Sequence, residues 1–572
     1  MKSKKPVLWG CIIFLIAFIV VFAIGFSIAY SSFGLKTPKI PANAWLYVNP
    51  SAMIPDYNAR EEIKIFNHTS PSVQEISTKI LAAAKDDRIK GMLIEPNMIM
   101  TNYAALNEMA LAIASFRKSG KPVVAFGENF TQADYLLASC ADKVYMEPSA
   151  SAGLILQGVS ANMMFYKELL DKMGIKMHIL QSGAYKGAGE PYSQTELSQG
   201  TKENINAALE DIYTNLLSFV AKNRKLEPTQ VKDIFERRAD FSLTANNALE
   251  YKLIDYALHR DEMLNNLKLT EDNFIKISSY APPSPKSEKS KIAVVYLTGN
   301  ITPASNYDFG NQNLISAAKV AKIIKNIRQD KSVKAVVLRI NSPGGSALES
   351  ELIHQQLLKL KKDYPLVISM GGTAASGGYY ISCAGDYIIA DQGTLTGSIG
   401  VIGLIPETAG LGKKIGLHSQ TLKFGKYAGA FSPFETYDPA LIESLKRSST
   451  GTYNEFKQRV MTARKITPEQ IESVAEGRVF SSEDALAHNL IDEIGTLDKA
   501  IAKAAALAKV TNYSSINYPN KTGLLEMLKE SDIMNMKEQL HQPVNPETQI
   551  EKYLKQIATT GEWLYLMPYK LD

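Results

Sequence analysis

Cysteine is scarce in this chain. Of 572 residues only three are cysteine: Cys11 in an N-terminal apolar segment, and Cys140 and Cys383 in apolar surroundings. Their spacing fits neither a metal site nor a disulfide framework, so the two internal ones read as buried structural thiols. Blocks of lysine and arginine are also missing. The 63 basic and 58 acidic residues are interspersed, leaving a net charge of +5, and nothing in the pattern argues for a nucleic-acid partner. Histidine is sparse too. His178 and His418 follow apolar runs at similar places in the two halves of the chain, which suggests a structural role. His68, His259, His354, His488 and His541 lie in polar or helical contexts that identify no catalytic base. What remains, 45% hydrophobic and 21% charged residues, describes an ordinary globular chain long enough for several domains.

A long apolar run occurs once. Lys2, Lys4 and Lys5 precede 24 uncharged residues, Val7 to Tyr30. About 20 apolar residues span a bilayer, and the flanking lysines predict an N-terminus on the inner side. Ser27-Ile-Ala29 could pass as a cleavage site, but a cleavable apolar region is usually only about 7–15 residues long. The expectation is an uncleaved anchor over residues 7–30 with a short inner segment, 1–6, and everything after about residue 31 on the outer side.

The main body repeats itself. Asp86-Asp-Arg-Ile-Lys-Gly-Met-Leu-Ile94 resembles Asp330-Lys-Ser-Val-Lys-Ala-Val-Val-Leu338, and Tyr135-Leu-Leu-Ala-Ser-Cys-Ala-Asp142 resembles Tyr379-Tyr-Ile-Ser-Cys-Ala-Gly-Asp386. Leu226-Glu-Pro-Thr-Gln230 matches Ile466-Thr-Pro-Glu-Gln470, and Leu253-Ile-Asp255 matches Leu490-Ile-Asp492. The offset drifts from 244 to 237, as small loop deletions would produce. An ordered series of this kind means two copies of one domain. The bounds are 31–277 and 292–510, joined over 278–291 by a proline-, serine- and lysine-rich linker that cannot build a core. Within each copy, short β-branched runs alternate with longer amphipathic segments, which implies βαβ units, a largely parallel sheet and an α/β fold. Residues 511–572 have no counterpart in the repeat; helical fragments are expected there at Leu524–Lys529 and Gln549–Ile557.

Chemistry concentrates in three stretches. Thr394-Leu-Thr-Gly-Ser-Ile-Gly-Val-Ile-Gly403 follows a short buried-strand pattern, Tyr387–Ala390, and sets Ser398 among glycines that let other backbone approach closely. A serine nucleophile needs a base, and a lysine kept neutral by burial can serve where histidine is lacking. Lys186, in Gly183-Ala-Tyr-Lys186, is the candidate, although alone it could equally be a solvated loop lysine. Overlaying the copies puts Lys186 on Ala428 and Ser398 on Leu154, so each half holds one group and lacks the other. The third stretch, Asn341-Ser-Pro-Gly-Gly-Ser346, stands between a strand and a helix. It can be a plain tight turn, or Gly344 or Gly345 can aim a backbone N–H, with that of Ile399, at a developing oxyanion. No metal or cofactor is called for.

These stretches, with Ala375-Ser-Gly-Gly-Tyr-Tyr-Ile381, Glu190-Pro191 and Gly477-Arg-Val-Phe480, carry a family resemblance over residues 40–510. The chain resembles the signal peptide peptidase A family in its long tandem form, a group of membrane-anchored serine–lysine peptidases. The resemblance implies two ClpP/crotonase-like domains, a homotetramer, and an inner-membrane location in bacteria with the catalytic domains facing the periplasm. It also implies cleavage of signal peptides already released into the membrane. It sets Ser398 on the nucleophile, Lys186 on the general base and Pro343-Gly-Gly345 on the oxyanion loop. The family also has a hydroxyl near the lysine, for which Ser419 or Thr421 is available. A crotonase-like acyl-CoA enzyme and a non-catalytic membrane scaffold are the alternatives; export away from cytosolic CoA argues against the first.

Overall fold

The computed structural model describes residues 40–58, 71–283, 288–303 and 314–520, together with the backbone of 564–566. The apolar run 7–30 and the helical fragments expected near 524–529 and 549–557 lie outside these residues. Among the described residues no helix is long and apolar enough to cross a membrane.

The duplication is visible in the sheets. In the first copy, β1 (Ala44–Val48), β2 (Ile89–Ile94), β3 (Val123–Gly127) and β4 (Lys143–Met146) are followed by an excursion, β5 (Lys176–Ser182), and then by β6 (Tyr256–Ala257) and β7 (Phe274–Lys276). All but β5 form one parallel sheet in the order β6-β4-β3-β2-β1-β7. The second copy contributes β8 (Lys291–Thr298), β9 (Asn300–Ile301), β10 (Val333–Ser342), β11 (Gly344–Ser346), β12 (Leu366–Ala375), β13 (Tyr387–Ala390), β14 (Leu395–Gly397), β15 (Val401–Glu407), β16 (Glu493–Ile494) and β17 (Ser514–Tyr518). Six of these pair in parallel in the same order, β16-β13-β12-β10-β8-β17. Central strands such as β10 are buried nearly throughout because helices cover both faces of the sheet.

Helices repeat as well. The 26-residue α1 (Gln199–Arg224) belongs to the first copy. The second copy has α2 (Ala347–Lys361), the short α3 (Gly377–Ser382) and α4 (Pro439–Arg464), the 26-residue counterpart of α1. Both long helices stop on a lysine in the left-handed region, Lys225 and Lys465, and a proline-led helix follows each.

Two expected boundaries move. Tyr280, placed in the linker, is only 2% exposed and donates its hydroxyl hydrogen to the Asp86 carboxylate (2.9 Å), so the first copy claims the start of that stretch. At the other end, β17 pairs with β8, so the second core runs on past residue 510.

One feature breaks the symmetry and positions the site. β15 of the second copy pairs antiparallel with β5 of the first, from Val401↔Ser182 to Glu407↔Lys176. The segments that repeat symmetry would place opposite them, around 157–163 and 417–424, form no strand. Each copy therefore supplies one strand of this ladder, and His178 sits within it with Nε2 3.0 Å from the Glu407 carboxylate.

Candidate active site

The β5–β15 ladder brings the two halves of the site together. Ser182 lies opposite Val401; Lys186 follows four residues after the one, and Ser398 stands three before the other. The lysine turn and the serine turn thus emerge at the same end of the paired strands. Lys186 Nζ donates to Ser398 Oγ at 2.8 Å and to the Ser398 carbonyl at 2.7 Å. Its third neighbour is Ser376 Oγ, at 2.7 Å. All three residues are fully buried within a single chain. Burial alone holds the Lys186 ammonium well below its ordinary 10.5, because a charged group here has lost its water.

The lysine turn is clamped from the second copy. Glu476 accepts the backbone N–H of Ala184 on its carboxylate and that of Tyr185 on its carbonyl, both at 2.7 Å; its other carboxylate oxygen takes the Tyr453 hydroxyl at 2.9 Å. Gly477 presses on the lysine itself. A Cβ there would lie 2.6–2.7 Å from the Lys186 backbone and Cβ, so no side chain fits. Behind the turn, buried Glu190 accepts from the Ser198 N–H (2.9 Å), the Ser198 hydroxyl (2.6 Å) and the Thr201 hydroxyl (2.7 Å), tying the lysine loop to the start of α1.

Ser376 is the site residue that the sequence reading passed over. It stands where β12 turns into α3, with φ 55° and ψ −114°, a strained conformation for a residue with a side chain. Its hydroxyl caps no helix N–H; the strand-to-helix turn instead presents it to Lys186. Ser398 also has positive φ (52°), but its N–H is bonded to the Arg478 carbonyl (2.6 Å) and its own carbonyl is taken by the lysine. The available signal for Ser376 is Ala375-Ser-Gly-Gly378, a small-residue elbow between an apolar strand and a helix.

The Pro343–Gly345 stretch lies beside that elbow. A Cβ on Gly377 would come within 3.2 Å of the Gly344 Cα, so the N-terminal end of α3 and this loop are in contact. Gly345 has φ +150°, and a Cβ there would fall 1.9 Å from the Ile301 carbonyl oxygen, which leaves glycine as the one residue the position accepts. Gly377 follows Ser376 at the start of α3, and the Gly344 N–H donates to Ser342 Oγ at 3.2 Å. Ile399, the other expected donor, is buried in the core of the second copy.

The expected lysine-positioning hydroxyls are corrected. Thr421 is engaged with Ser432 Oγ (2.9 Å) and the Glu435 carboxylate (2.6 Å), and Ser419 is exposed. Neither reaches Lys186, because residues 417–424 never join the shared sheet. Of the histidines in described residues, His178, His259 and His354 face Glu407, Glu147 and Glu351, and His488 packs on Phe480. The described residues contain no cluster of His, Cys, Asp and Glu suited to a metal ion.

A buried serine hydroxyl on a strand-to-helix elbow, held by a desolvated lysine in an α/β fold, describes a serine hydrolase without histidine. The description of Peptidase family S49 matches residues 115–273 and 358–511, one stretch in each copy. Protease 4 of Salmonella typhi is 35% identical over 82% of this chain and 78% of its own length. Protease 4 of Haemophilus influenzae is 31% identical over 88% and 83%, and the chloroplastic serine protease SPPA of Arabidopsis thaliana 28% over 79% and 68%. The chain belongs to Peptidase family S49 and is a serine endopeptidase of the Protease 4/SppA kind.

Proposed function

We propose that Ser376 is the nucleophile of this peptidase, Lys186 its general base, and Ser398 the residue that positions the lysine. The observation that carries this assignment is the three-way contact of Lys186 Nζ together with the strained backbone of Ser376. A neutral amine has two hydrogens and one lone pair. The Ser398 carbonyl can only accept, so it takes one hydrogen; the count leaves the two hydroxyls equivalent, and the strained elbow of Ser376 at the start of α3 singles it out as the attacking one, so Ser398 Oγ takes the other hydrogen. The lone pair then faces the Ser376 hydroxyl, and that serine is the one whose proton the lysine removes. The sequence reading set the nucleophile on Ser398; the present proposal gives that role to Ser376 and the positioning role to Ser398.

Ser376 Oγ attacks the carbonyl carbon of a peptide bond while its proton passes to Lys186 Nζ. The oxyanion forms against the N–H of Gly377 and that of Gly344, which exchanges its bond to Ser342 Oγ (3.2 Å) for the oxyanion. As the C–N bond breaks, Lys186 returns the proton to the leaving amine. Water then attacks the acyl-enzyme with the same lysine as base, releasing a carboxylic acid and Ser376. The test is covalent: an acylating serine probe should mark Ser376 in peptide mapping, and an adduct on Ser398 instead would refute the assignment.

The sheet order supports a ClpP/crotonase-like description of each copy. The apolar run 7–30 after three lysines supports a single membrane anchor with the copies on the periplasmic side, and hence signal peptides released into the membrane as substrates. A homotetramer is part of the same reading. Against an acyl-CoA enzyme stands the desolvated lysine–serine contact, which thioester chemistry does not require.

A further inference from the structure

One peptide group stands between the lysine turn and the Ser398 turn. Residues Ala475 to Arg478 lead from the helix Pro468–Val474 into the strand Val479–Phe480, which pairs antiparallel with β14. The Glu476 carbonyl accepts the Tyr185 N–H at 2.7 Å, and the Gly477 N–H donates to the Ile399 carbonyl at 2.8 Å. Both groups belong to the peptide unit that joins Glu476 to Gly477, and a peptide unit is planar. Tyr185 immediately precedes Lys186, and Ile399 immediately follows Ser398. The spacing of lysine from serine is thus set across one rigid plane. One residue further on, the Arg478 carbonyl takes the Ser398 N–H at 2.6 Å, and its guanidinium carbon lies 4.3 Å from the centre of the Tyr185 ring.

A peptide plane can turn about the bonds on either side, so its orientation has to be held. Glu476 and Gly477 both have positive φ, 63° and 82°. Glycine adopts this freely, whereas a residue with a side chain stays there only when its surroundings hold it. The Glu476 carboxylate is that hold. Its Oε2 accepts the Ala184 N–H at 2.7 Å, and its Oε1 accepts the Tyr453 hydroxyl at 2.9 Å. The same hydroxyl oxygen accepts the Glu476 N–H at 3.0 Å, so tyrosine and glutamate are bonded in both directions. Tyr453 is buried on the 26-residue α4, which ties the carboxylate to a long helix of the second copy. Asn204 of α1 closes the arrangement from the first copy, bonded to the Val479 N–H (2.8 Å) and carbonyl (2.9 Å).

We propose that Glu476 is a positioning residue: its carboxylate, oriented by Tyr453, holds the peptide plane that fixes Lys186 against its serines. The role rests on Lys186 as the general base and holds whichever serine attacks. Glu476 acts through the turn Gly183 to Lys186 and not on the reacting atoms. Two hydroxyls and a carbonyl surround Lys186 Nζ, and burial alone lowers its pKa. Facing Glu476 are the Tyr453 phenol, with the Lys457 ammonium 4.7 Å from its ring centre, and the neighbouring Arg478. A lysine turn released from Glu476 has two consequences. The amine is misplaced, and a shift of about 1 Å costs roughly a hundredfold in rate. Water also regains the amine and favours the ammonium, so the neutral base forms only at higher pH.

The test measures kcat, KM and the pH profile of kcat/KM for full-length chains on a fluorogenic peptide, with circular dichroism as the check on folding. Glu476→Ala should lower kcat about a hundredfold with KM little changed, and the rising limb of its profile should move to higher pH. Glu476→Gln keeps an acceptor for the Ala184 N–H and should recover at least about tenfold of that loss. Tyr453→Phe removes one hydroxyl and keeps the ring; it should give a smaller loss and a shift in the same direction, and it tests the role even where Glu476→Ala does not fold. A merely structural role would lower the active fraction equally at every pH and leave the limb in place. A limb that stays put in Glu476→Ala or in Tyr453→Phe, or a Glu476→Gln as slow as Glu476→Ala, overturns the proposal. Failure of the underlying reading looks different: Lys186→Ala would keep its turnover, whatever the Glu476 variants do.

Discussion

Replacing each active-site serine by alanine separates the two roles that Lys186 gives them. Ser376→Ala removes the attacking oxygen, and by analogy with nucleophile deletions in other serine proteases kcat should fall about a millionfold. Ser398→Ala removes no reacting atom. It deprives Lys186 Nζ of one of its three partners, while the Ser398 carbonyl (2.7 Å) and Ser376 Oγ (2.7 Å) remain. A buried donor left without an acceptor costs about 1–3 kcal/mol, which corresponds to roughly 5–150-fold in rate if it is all felt in the transition state. The second readout is pH. Ser398 Oγ accepts from Nζ and so favours the ammonium over the amine. Removing it lowers the lysine's pKa further, and the rising limb of kcat/KM should move to lower pH. The assay is kcat/KM on a fluorogenic peptide across pH, with circular dichroism confirming that both variants fold. Equal inactivation by the two substitutions, or a Ser398→Ala limb that does not move, would refute the division of roles.

In the unmodified enzyme kcat/KM should rise with pH through the pKa of Lys186, held by burial well below 10.5, and activity should be lost as pH falls through that value; a loss centred near 6.5 would implicate a histidine instead. Gly345→Ala should lower kcat roughly a hundredfold or more with the circular dichroism spectrum intact, because its Cβ would strike the Ile301 carbonyl and displace the loop beside Ser376. Co-expressed Ser376→Ala and Lys186→Ala chains should give inactive mixtures whatever their assembly state, since serine and lysine meet within one chain; recovered activity would show a site shared between chains.

Much of the architecture was legible in the sequence because it rests on periodicity. The duplication appeared as matched segments at a slowly drifting offset, and the two sheets have the same six-strand order. Tyr387–Ala390 is a strand over the expected residues, and the helix expected at Glu349–Lys361 begins only two residues earlier. Lys186 and Ser398 were legible as a pair because each copy lacks the other's group. Ser376 was not, and the reason is physical. Its distinguishing mark is a backbone conformation imposed by the turn from β12 into α3, and Ala-Ser-Gly-Gly in a sequence also describes an ordinary loop. Glu476 escaped for a similar cause: its function depends on Gly183–Tyr185 approaching from the other copy, a contact that no local pattern encodes. Tyr280 looked like linker by the composition around it, but its ring found the first core.

Dividing a catalytic pair between two copies makes chemistry depend on how the copies dock, and the contact between them is polar at its centre. Arg339 of β10, 1% exposed, lies 3.0 Å from Glu108 and 3.7 Å from Asp56, both from the first copy. Asp391 of the second copy is bonded to Asn107 of the first at 2.8 Å. Burial drives the carboxyls of Glu108 and Asp391 upward, while the Arg339 guanidinium beside them pulls the other way. An apolar interface would hold two domains together as well or better, but it would tolerate sliding. Hydrogen-bonded carboxyls and a guanidinium fix a register. That register reaches the site through Asn341, which donates to Asp56 (3.1 Å) and accepts from the Thr373 N–H (3.1 Å). Asn341 lies three residues before Gly344, and Thr373 three before Ser376. The same interface that sets Lys186 against its serines is thus tied to both walls of the oxyanion site, and a single covalent chain can keep one lysine and two serines aligned without a second set.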